Sequence, residues 1–245
     1  MTISLGQAAT PHDMRIYAIG DVHGYLQLLR DIYQKIRTDL DANPTGEYKV
    51  VFVGDYIDRG PDSAGCVQFL IDLMAEDKQV ICLKGNHEDK LEKFLLNPLE
   101  LADSFFTYGG LECTRSYGVD MATCPDKAKD TVKARDELNK NIPPEHKRFY
   151  SELKKSVTFG DYFFSHAGVR PGVPLTEQSD DDLMCIRAEF IRNKALYEKI
   201  IVHGHTPANP MEILPNRINV DTCAYDTGIL SCIVLEGTKY RVIET

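Results

Sequence analysis

The sequence predicts an α/β fold in which short apolar strands alternate with amphipathic helices. Between residues 15 and 96, three successive segments each combine a strand, a glycine-containing turn and a helix. Such an order implies parallel strands whose carboxyl ends lie along one edge of a sheet. From residue 157 onward, strands follow one another closely, which predicts a second, mainly antiparallel sheet packed on the first.

The first segment begins with the strand RIYAI at residues 15–19, followed by a turn at 20–24. A helix is predicted next, because apolar residues recur at helical spacing. The members of this stripe are Leu26, Leu29, Ile32, Ile36 and Leu40.

The second and third segments repeat this order. The apolar run at residues 50–53 is a predicted buried strand, and Pro61 stands where the following helix can begin. QVICL at residues 79–83 is the third strand, and a helix is expected to begin near Asp89. The buried helical faces consist of Val67, Leu70, Ile71 and Met74, and then of Leu91, Phe94 and Leu95.

Residues 97–155 differ in kind, being polar and poor in strand signals. Proline at the start of PPEHKRFYSELKKS predicts a helix over 143–156. We interpret 97–155 as a helical insertion that covers one side of the site. The chain is thus predicted to form a single domain over residues 1–245, with residues 1–13 as a flexible leader.

The later half contains several predicted strands. Residues 157–169 form two strands joined at Gly160-Asp161, a hairpin signal, and 199–207 is a further strand. Between them, a helical stretch is expected to carry Arg187. Three closing strands are predicted in INVDTCA, GILSCIVLEG and KYRVIE.

The composition narrows the function classes. The chain has 245 residues, 43% of them hydrophobic and 27% charged, with a net charge of −9. A general electrostatic grip on nucleic acid or on an anionic membrane is therefore not expected. An acidic protein that binds phosphate needs local positive charge, from metal ions or clustered arginines.

The cysteines predict a reducing environment. The seven cysteines form no C-x-x-C pair, so free buried thiols are expected, at residues 66, 82, 113, 124, 185, 223 and 232. Residues 1–13 lack the pattern of a secretory signal, and no apolar run approaches the ~20 residues of a membrane helix. A cytoplasmic location is expected.

Chemistry-bearing side chains follow the predicted strands. Each histidine taken singly is better interpreted as a core or turn residue, but the set together predicts a metal site. Carboxylate and imidazole ligands suit divalent metals such as Mn²⁺, Fe²⁺ or Zn²⁺, and two such ions can clamp a phosphoryl group. The ligand-type residues of the set are Asp21, His23, Asp55, Asn86, His166 and His205, and Asp58, Arg59 and His87 lie in the same turns.

The motifs GDVHG (20–24), GDYIDRG (54–60), GNHE (85–88), HAG (166–168) and GHT (204–206) occur in this order. In order and spacing they resemble the phosphoprotein phosphatase family of serine/threonine phosphatases, particularly its small bacterial and phage members. The resemblance extends from residue 15 to about residue 237. It implies a metallophosphoesterase β-sandwich of two mixed sheets flanked by helices. It also implies hydrolysis of a phosphorylated protein or small phosphoester by a hydroxide shared between two divalent ions. Mn²⁺ is the expected metal, with Fe²⁺ or Zn²⁺ as alternatives.

The resemblance also implies roles for individual residues. Asp21 and His23 would bind the first metal with Asp55, which would bridge to the second. The ligands that complete the second metal site would be Asn86, His166 and His205.

Substrate and proton roles follow from the same resemblance. Arg59 and Arg187 would bind the substrate phosphate, together with Asn86 and His87. His87 would protonate the leaving oxygen, and Asp58 would orient its imidazole.

The chain departs from the family pattern at two places. LMCIR stands where LLWIR is usual, and DTCA stands where DTGA is usual, with Cys223 in place of a glycine. Cys223 would be strained if that glycine adopts positive φ, whereas a small thiol fits if the glycine only permits close packing. His203 would share a strand face with His205, but we expect no metal contact from it. His12 and His146 are expected at the surface, without a role.

Three rival functions remain. Diadenosine tetraphosphate hydrolases share the metal motifs, but alanine commonly replaces the residue found here as Asp58, and GNHD replaces GNHE; both differences favour the protein phosphatase. Metallophosphoesterase nucleases end in G-H-x-H, whereas Thr206-Pro207 follow His205 here. A non-catalytic phosphate- or partner-binding module is the third alternative, which the complete ligand set disfavours.

Overall fold

The computed structural model describes residues 2–120 and 128–245. One five-stranded sheet has the order β10-β9-β1-β2-β3. Strands β1, β2 and β3 are parallel, as predicted, whereas β9 is antiparallel to β1 and to β10. The bounds are β1 (Met14–Ile19), β2 (Glu47–Phe52), β3 (Val80–Cys82), β9 (Ser231–Glu236) and β10 (Lys239–Glu244).

The second sheet has the order β4-β5-β6-β8-β7. It is mixed and not mainly antiparallel, because β5, β6 and β8 are parallel neighbours joined by long crossing connections. The last two strands also differ from expectation, since they extend the first sheet. The bounds are β4 (Ser156–Phe159), β5 (Tyr162–Ser165), β6 (Ile200–His203), β7 (Glu212–Ile213) and β8 (Arg217–Asn219).

The two sheets pack face to face. Ile16 and Ala18 of β1 point toward the second sheet and share an apolar cluster with Phe164 of β5 and Val202 of β6. The alternate residues of β1 belong to a different cluster that contains the helices. This alternation follows from the two-residue period of a strand, and it confirms a sandwich flanked by helices.

Helices α1 (Leu26–Ala42), α2 (Ser63–Glu76) and α3 (Asn86–Leu96) pack on the outer face of the first sheet. Helix α3 begins at Asn86, earlier than predicted. The reason lies in its first turn, where the Glu88 carboxylate accepts a hydrogen bond from the Gly85 N–H that precedes the helix. Acidic side chains at this end also complement the helix dipole.

The predicted insertion is helical where it is described, and 121–127 lie outside the described residues. Its side chains join the same apolar cluster as α1–α3, and the rings of Phe94 and Phe105 stack with centroids 4.5 Å apart. The last helix ends at Glu152, before the predicted end, because Lys154 pairs with Leu83 beside β3. The bounds are α4 (Pro98–Phe105), α5 (Leu111–Ser116), α6 (Ala128–Asn141) and α7 (Pro144–Glu152), with a wide turn at Phe106–Gly110.

Two further predictions were wrong. Arg187 is not helical, since it lies between α8 (Asp180–Cys185) and α9 (Ala188–Ile191). The predicted strand INVDTCA ends at Asn219, after which the chain turns into the short helix α10 (Ala224–Thr227). None of the helices in the described ranges is long and apolar enough to cross a membrane.

The amino-terminal residues are packed, in contrast to the flexible leader that we predicted. The Ile3 N–H donates to the Tyr197 carbonyl at 2.9 Å, and the Leu5 N–H donates to the Pro215 carbonyl at 2.8 Å. Leu5 and Ala8 are buried in the cluster between the sheets. Apolar side chains that close one end of this cluster hold the segment in place.

Leu5→Ala is expected to lower the free energy of unfolding by ~2 kcal/mol, the lower end for a buried leucine, because Leu5 lies near the rim of the cluster. Urea denaturation measures the change. Gln7→Ala, in the same short helix but exposed, is the matched control. Equal stability of the two variants would show that the leader detaches without cost.

Candidate active site

The glycine-containing turns after the strands are joined to one another by backbone hydrogen bonds. The His23 N–H donates to the Asp55 carbonyl at 2.9 Å, which ties the turn after β1 to the turn after β2. The Gly204 N–H donates to the His166 carbonyl at 2.8 Å, which ties the turns after β5 and β6. The His205 N–H donates to the Asp21 carboxylate at 3.1 Å and so links the two sheets.

Glu88 fixes the turns after β2 and β3. Its buried carboxylate accepts hydrogen bonds from the N–H groups of Asp55, Tyr56 and Gly85, at 2.8 to 3.0 Å. The turns approach so closely that a Cβ on Gly85 would lie 2.1 Å from Asp55 Oδ1. In the sequence, Glu88 was only a variant position of a motif, and this structural role was not predicted.

One group of candidate ligands surrounds His166. Its Nε2 lies 3.0 Å from Asn86 Oδ1, 3.2 Å from His205 Nδ1 and 3.3 Å from Asp55 Oδ2. A single imidazole nitrogen cannot satisfy three acceptors by hydrogen bonding. Ligands that share one metal ion at ~2.0–2.2 Å are spaced about 3 Å from one another, so this group fits a divalent ion.

A second group shares Asp55. The Asp55 Oδ2 atom lies 3.7 Å from His23 Nε2 and 3.8 Å from His87 Nε2. These three residues form one potential metal cluster, and Asp55, His166 and His205 form the other. The geometry therefore places Asp55 between the two clusters.

Asp21 lies beside these clusters. Burial raises the pKa of Asp21 well above its ordinary value, and the carboxylates of Asp221 and Asp55 raise it further. Burial also raises the pKa of Asp221 to about 6. Asp21 and Asp221 are thus two buried carboxylates that a nearby cation would keep ionised, which is a second observation that fits bound metal.

The histidines are suited to metal binding. Burial lowers the pKa of His205 to about 2, and it lowers the pKa of His23 well below its usual range. Both imidazoles are therefore neutral at pH 7 and have a lone pair for a metal. At His166 burial also opposes protonation, but the Asp55 carboxylate outweighs it and raises the pKa.

Backbone strain is concentrated at this site. Seven non-glycine residues in the described ranges adopt positive φ, five of them predicted site residues. A left-handed residue other than glycine costs ~1–3 kcal/mol and persists where its surroundings enforce it. The seven are Asp13, His23, Asp55, Asp58, Arg59, His205 and Cys223.

Asp58 and His87 form a buried pair. The distance from Asp58 Oδ2 to His87 Nδ1 is 2.6 Å. Burial lowers the pKa of His87 to about 4, and burial with the Asp55 charge raises the pKa of Asp58. Both shifts favour a pair that shares one proton, with the imidazole oriented by the carboxylate.

Arg59 is held in place before any substrate binds. Its guanidinium lies 4.2 Å from the centre of the Tyr225 ring, and its Nη2 lies 3.4 Å from His87 Nε2. The Arg59 N–H donates to the Gly109 carbonyl at 3.1 Å, which connects the insertion to the site. Arg187 is exposed and lines the same cavity.

A cavity of about 550 Å³ opens at the clusters. Asn86, His87 and His205 contribute to its floor, and most of the remaining polar residues are cationic. The cationic residues are Arg59, Lys90, Lys93 and Arg187, against one carboxylate, Asp89. A protein with net charge −9 thus has a locally cationic cavity where a phosphate would bind.

Comparison with known proteins agrees with this geometry. The sequence profile of the calcineurin-like phosphoesterases matches residues 14–230. The chain belongs to the calcineurin-like phosphoesterase family. Its members are phosphoesterase hydrolases that use divalent metals.

Two curated relatives carry the name bis(5'-nucleosyl)-tetraphosphatase PrpE [asymmetrical]. The one from Anoxybacillus flavithermus is 27% identical, over 93% of this chain and 91% of its own. The one from Bacillus mycoides is 26% identical, over 95% and 93% respectively. These names support the tetraphosphate hydrolase better than the protein phosphatase, so the preference that we drew from Asp58 and Glu88 is not upheld.

Two solved structures share the fold. A protein named only provisionally as a diadenosine tetraphosphatase has a TM-score of 0.65 at 21% identity, covering 97% of this chain and 98% of its own. A serine/threonine phosphatase from Saccharomyces cerevisiae has a TM-score of 0.57 at 14% identity, covering 98% and 84%. Both confirm the calcineurin-like phosphoesterase architecture and nothing finer.

His203 lies apart from the metal clusters of this calcineurin-like phosphoesterase. Strand β6 ends at His203, so the alternation that would place His205 on the same face no longer applies. The His203 imidazole is buried between Phe190 and the buried Arg217. The centres of the His203 and Phe190 rings are 4.9 Å apart, and Arg217 Nη1 is 3.2 Å from His203 Nε2.

The burial of one histidine and two cysteines differs from what we predicted. His146 is buried, with its ring nitrogens 2.8 Å from the Tyr117 hydroxyl and 3.0 Å from Gln68 Oε1. Cys185 is exposed and Cys223 is half-buried, whereas the other described cysteines are buried as predicted; Cys124 lies outside the described residues.

Cys223 settles the alternative that its sequence left open. It adopts φ of 61° and ψ of 49°, the left-handed conformation that favours glycine. Its N–H donates to the Asp221 carboxylate at 2.9 Å, which helps to hold this conformation beside the site.

Gly109→Ala is expected to reduce turnover through Arg59. Gly109 has φ of +101°, and an added Cβ would lie 2.6 Å from the Arg59 backbone nitrogen, so Arg59 must move. We expect kcat/KM to fall by about tenfold or more, since small displacements at a site carry large rate costs. Steady-state kinetics measures this. Gly118→Ala, at another glycine of the insertion with positive φ but an open Cβ position, is the control; equal losses would indicate backbone strain alone.

Proposed function

We propose that this calcineurin-like phosphoesterase hydrolyses dinucleoside polyphosphates, with diadenosine tetraphosphate as the representative substrate. The observation that carries the proposal is the cavity: four cationic side chains gather beside the candidate metal clusters of an otherwise acidic chain. A single phosphoryl group needs fewer cations than this. The names of the curated relatives support the same substrate class.

The ligand roles are proposed as the resemblance implied them. Asp21 and His23 hold a first divalent ion with Asp55, and Asn86, His166 and His205 hold a second with Asp55. We propose Mn²⁺, which tolerates this mixture of oxygen and nitrogen ligands. Bound there, two ions supply charge neutralisation for the phosphoryl oxygens and a lowered pKa for water, so that no Ser or Cys nucleophile is required.

The chain's own residues bind the substrate and move the proton. Arg59 and Arg187 bind the phosphoryl oxygens with guanidinium donors, assisted by Asn86 and His87. Because burial and the Asp55 charge raise the pKa of Asp58, Asp58 can carry the proton that it shares with His87 Nδ1. The neutral imidazole then has its own proton at Nε2 and donates it to the leaving oxygen, while the shared proton moves from Asp58 to Nδ1. Arg59 Nη2 lies 3.4 Å from His87 Nε2, so the two side chains can reach the same phosphoryl group.

A serine/threonine protein phosphatase is the second candidate. The observation that favours it is the Asp58–His87 pair, because Asp58 is the residue that we expect tetraphosphate hydrolases to lack. The same site can bind a phosphoserine or phosphothreonine side chain. In either case, the free thiols support the cytoplasmic location that we propose.

Substrate comparison decides between the two candidates. Mn²⁺-reconstituted protein is expected to turn over diadenosine tetraphosphate with higher kcat/KM than phosphoserine and phosphothreonine peptides, phosphotyrosine peptide or p-nitrophenyl phosphate. Chromatography of the nucleotides shows whether cleavage is asymmetrical, giving a triphosphate and a monophosphate. Preference for the phosphopeptides would favour the protein phosphatase. Full activity under chelation would exclude the metal-dependent mechanism for both.

Asp58→Asn is expected to lower kcat by about 10²-fold, the usual contribution of an oriented proton donor, with little change in metal content. The reason is that Asp58 contacts the His87 imidazole and is not among the proposed metal ligands. Steady-state kinetics and metal analysis measure the two effects. Asp41→Asn, at an exposed position, is the control. A parallel loss of metal and activity would make Asp58 a structural support of the metal site instead.

A further inference from the structure

Lys90 lies beside the proposed phosphate site but has no role in it so far. It follows His87 by one helical turn on α3, so the two side chains emerge on the same face of the helix. Lys90 is half-buried and contributes to the wall of the cavity. Lys90 thus adds a cation, besides Arg59, to the part of the cavity next to His87.

No carboxylate in the described ranges pairs directly with the Lys90 ammonium. Among the described residues, no carboxylate oxygen lies within 4.0 Å of its ammonium group, whereas Lys93 Nζ is 2.7 Å from Asp89 Oδ2. The Lys90 ammonium instead lies 4.1 Å from the centre of the Tyr108 ring. Burial lowers the pKa of Lys90, although the charges of Asp58 and Asp55 oppose this shift, and an anion bound at the ammonium would favour its charged form.

Tyr108 presents an aromatic ring to the same cavity. It belongs to the wide turn at Phe106–Gly110, and 53% of its surface is exposed. The two phenylalanines that precede it along the chain, Phe105 and Phe106, are buried in the core. An exposed ring beside an uncompensated cation is an arrangement that binds a base and its phosphates, since stacking accepts any base.

We propose that Lys90 and Tyr108 form a distal subsite for the part of a dinucleoside polyphosphate that flanks the scissile phosphate. Lys90 binds the neighbouring phosphate, and the Tyr108 ring stacks on a nucleobase. The subsite rests on the proposed function and deepens it. It also explains why the cavity has more cations than one phosphoryl group requires.

Binding to Mn²⁺-reconstituted protein tests the subsite without turnover. The probes are a methylene-bridged, non-hydrolysable diadenosine tetraphosphate and inorganic tetrapolyphosphate, which lacks a base. Tyr108→Leu is expected to weaken binding of the dinucleotide by about tenfold, equivalent to ~1.4 kcal/mol, and to leave tetrapolyphosphate binding unchanged. Tyr108→Phe, which keeps the ring, should bind both probes like the wild type. Lys90→Gln should weaken binding of both probes.

Matched controls are available at residues that do not line the cavity. Tyr240→Leu removes a ring of similar exposure on β10, and Lys133→Gln removes an exposed lysine on α6; neither should change binding. Two results would overturn the subsite. In the first, the Tyr108→Leu variant binds the dinucleotide as tightly as the wild type does. In the second, the wild-type protein binds tetrapolyphosphate as tightly as it binds the dinucleotide. Turnover of diadenosine tetraphosphate is measured in parallel. Ring-dependent binding without turnover refutes the proposed function alone, and turnover without ring dependence refutes the subsite alone.

Discussion

The buried carboxylate of Asp55 is the group on which the geometry of the whole site depends. Its Oδ2 atom lies 3.3 to 3.8 Å from the Nε2 atoms of His23, His87 and His166. Its Oδ1 atom accepts a hydrogen bond from the backbone N–H of His87. The Asp55 backbone is fixed as well, because its N–H donates to Glu88 and its carbonyl accepts from the turn after β1. A shift of Asp55 would therefore displace both candidate metal clusters at once.

This arrangement is costly, and the fold supplies the compensation. Several site residues adopt left-handed backbone conformations, and the carboxylates of Asp21, Asp55 and Asp221 lie close together in a buried region. Neither feature would persist in an isolated loop. Here the strands that end at the site pack into large apolar clusters on both faces of the first sheet, so the turns cannot relax without disrupting the core.

Charge is distributed to match this chemistry. The chain is acidic overall, yet Arg59, Lys90 and Arg187 line one cavity beside the candidate metal clusters. The insertion contributes directly, since the Gly109 carbonyl fixes Arg59 and Tyr108 lies against Lys90. The insertion therefore forms part of the cavity beside the candidate metal clusters.

The amino-acid sequence alone determined the parallel strands β1–β3 and the convergence of their turns. The reason is that strands alternating with helices pair in parallel, so the turns that follow them lie at one edge of the sheet. Tertiary structure decided what local pattern cannot express. His203 and His205 are neighbours in a motif, yet the end of β6 separates their environments, and His146 is buried only because α7 packs on α2. The packing of the amino-terminal segment likewise depends on distant partners, Tyr197 and Pro215. Local periodicity predicts which residues end a strand, whereas burial and pairing arise from contacts between segments far apart in the chain.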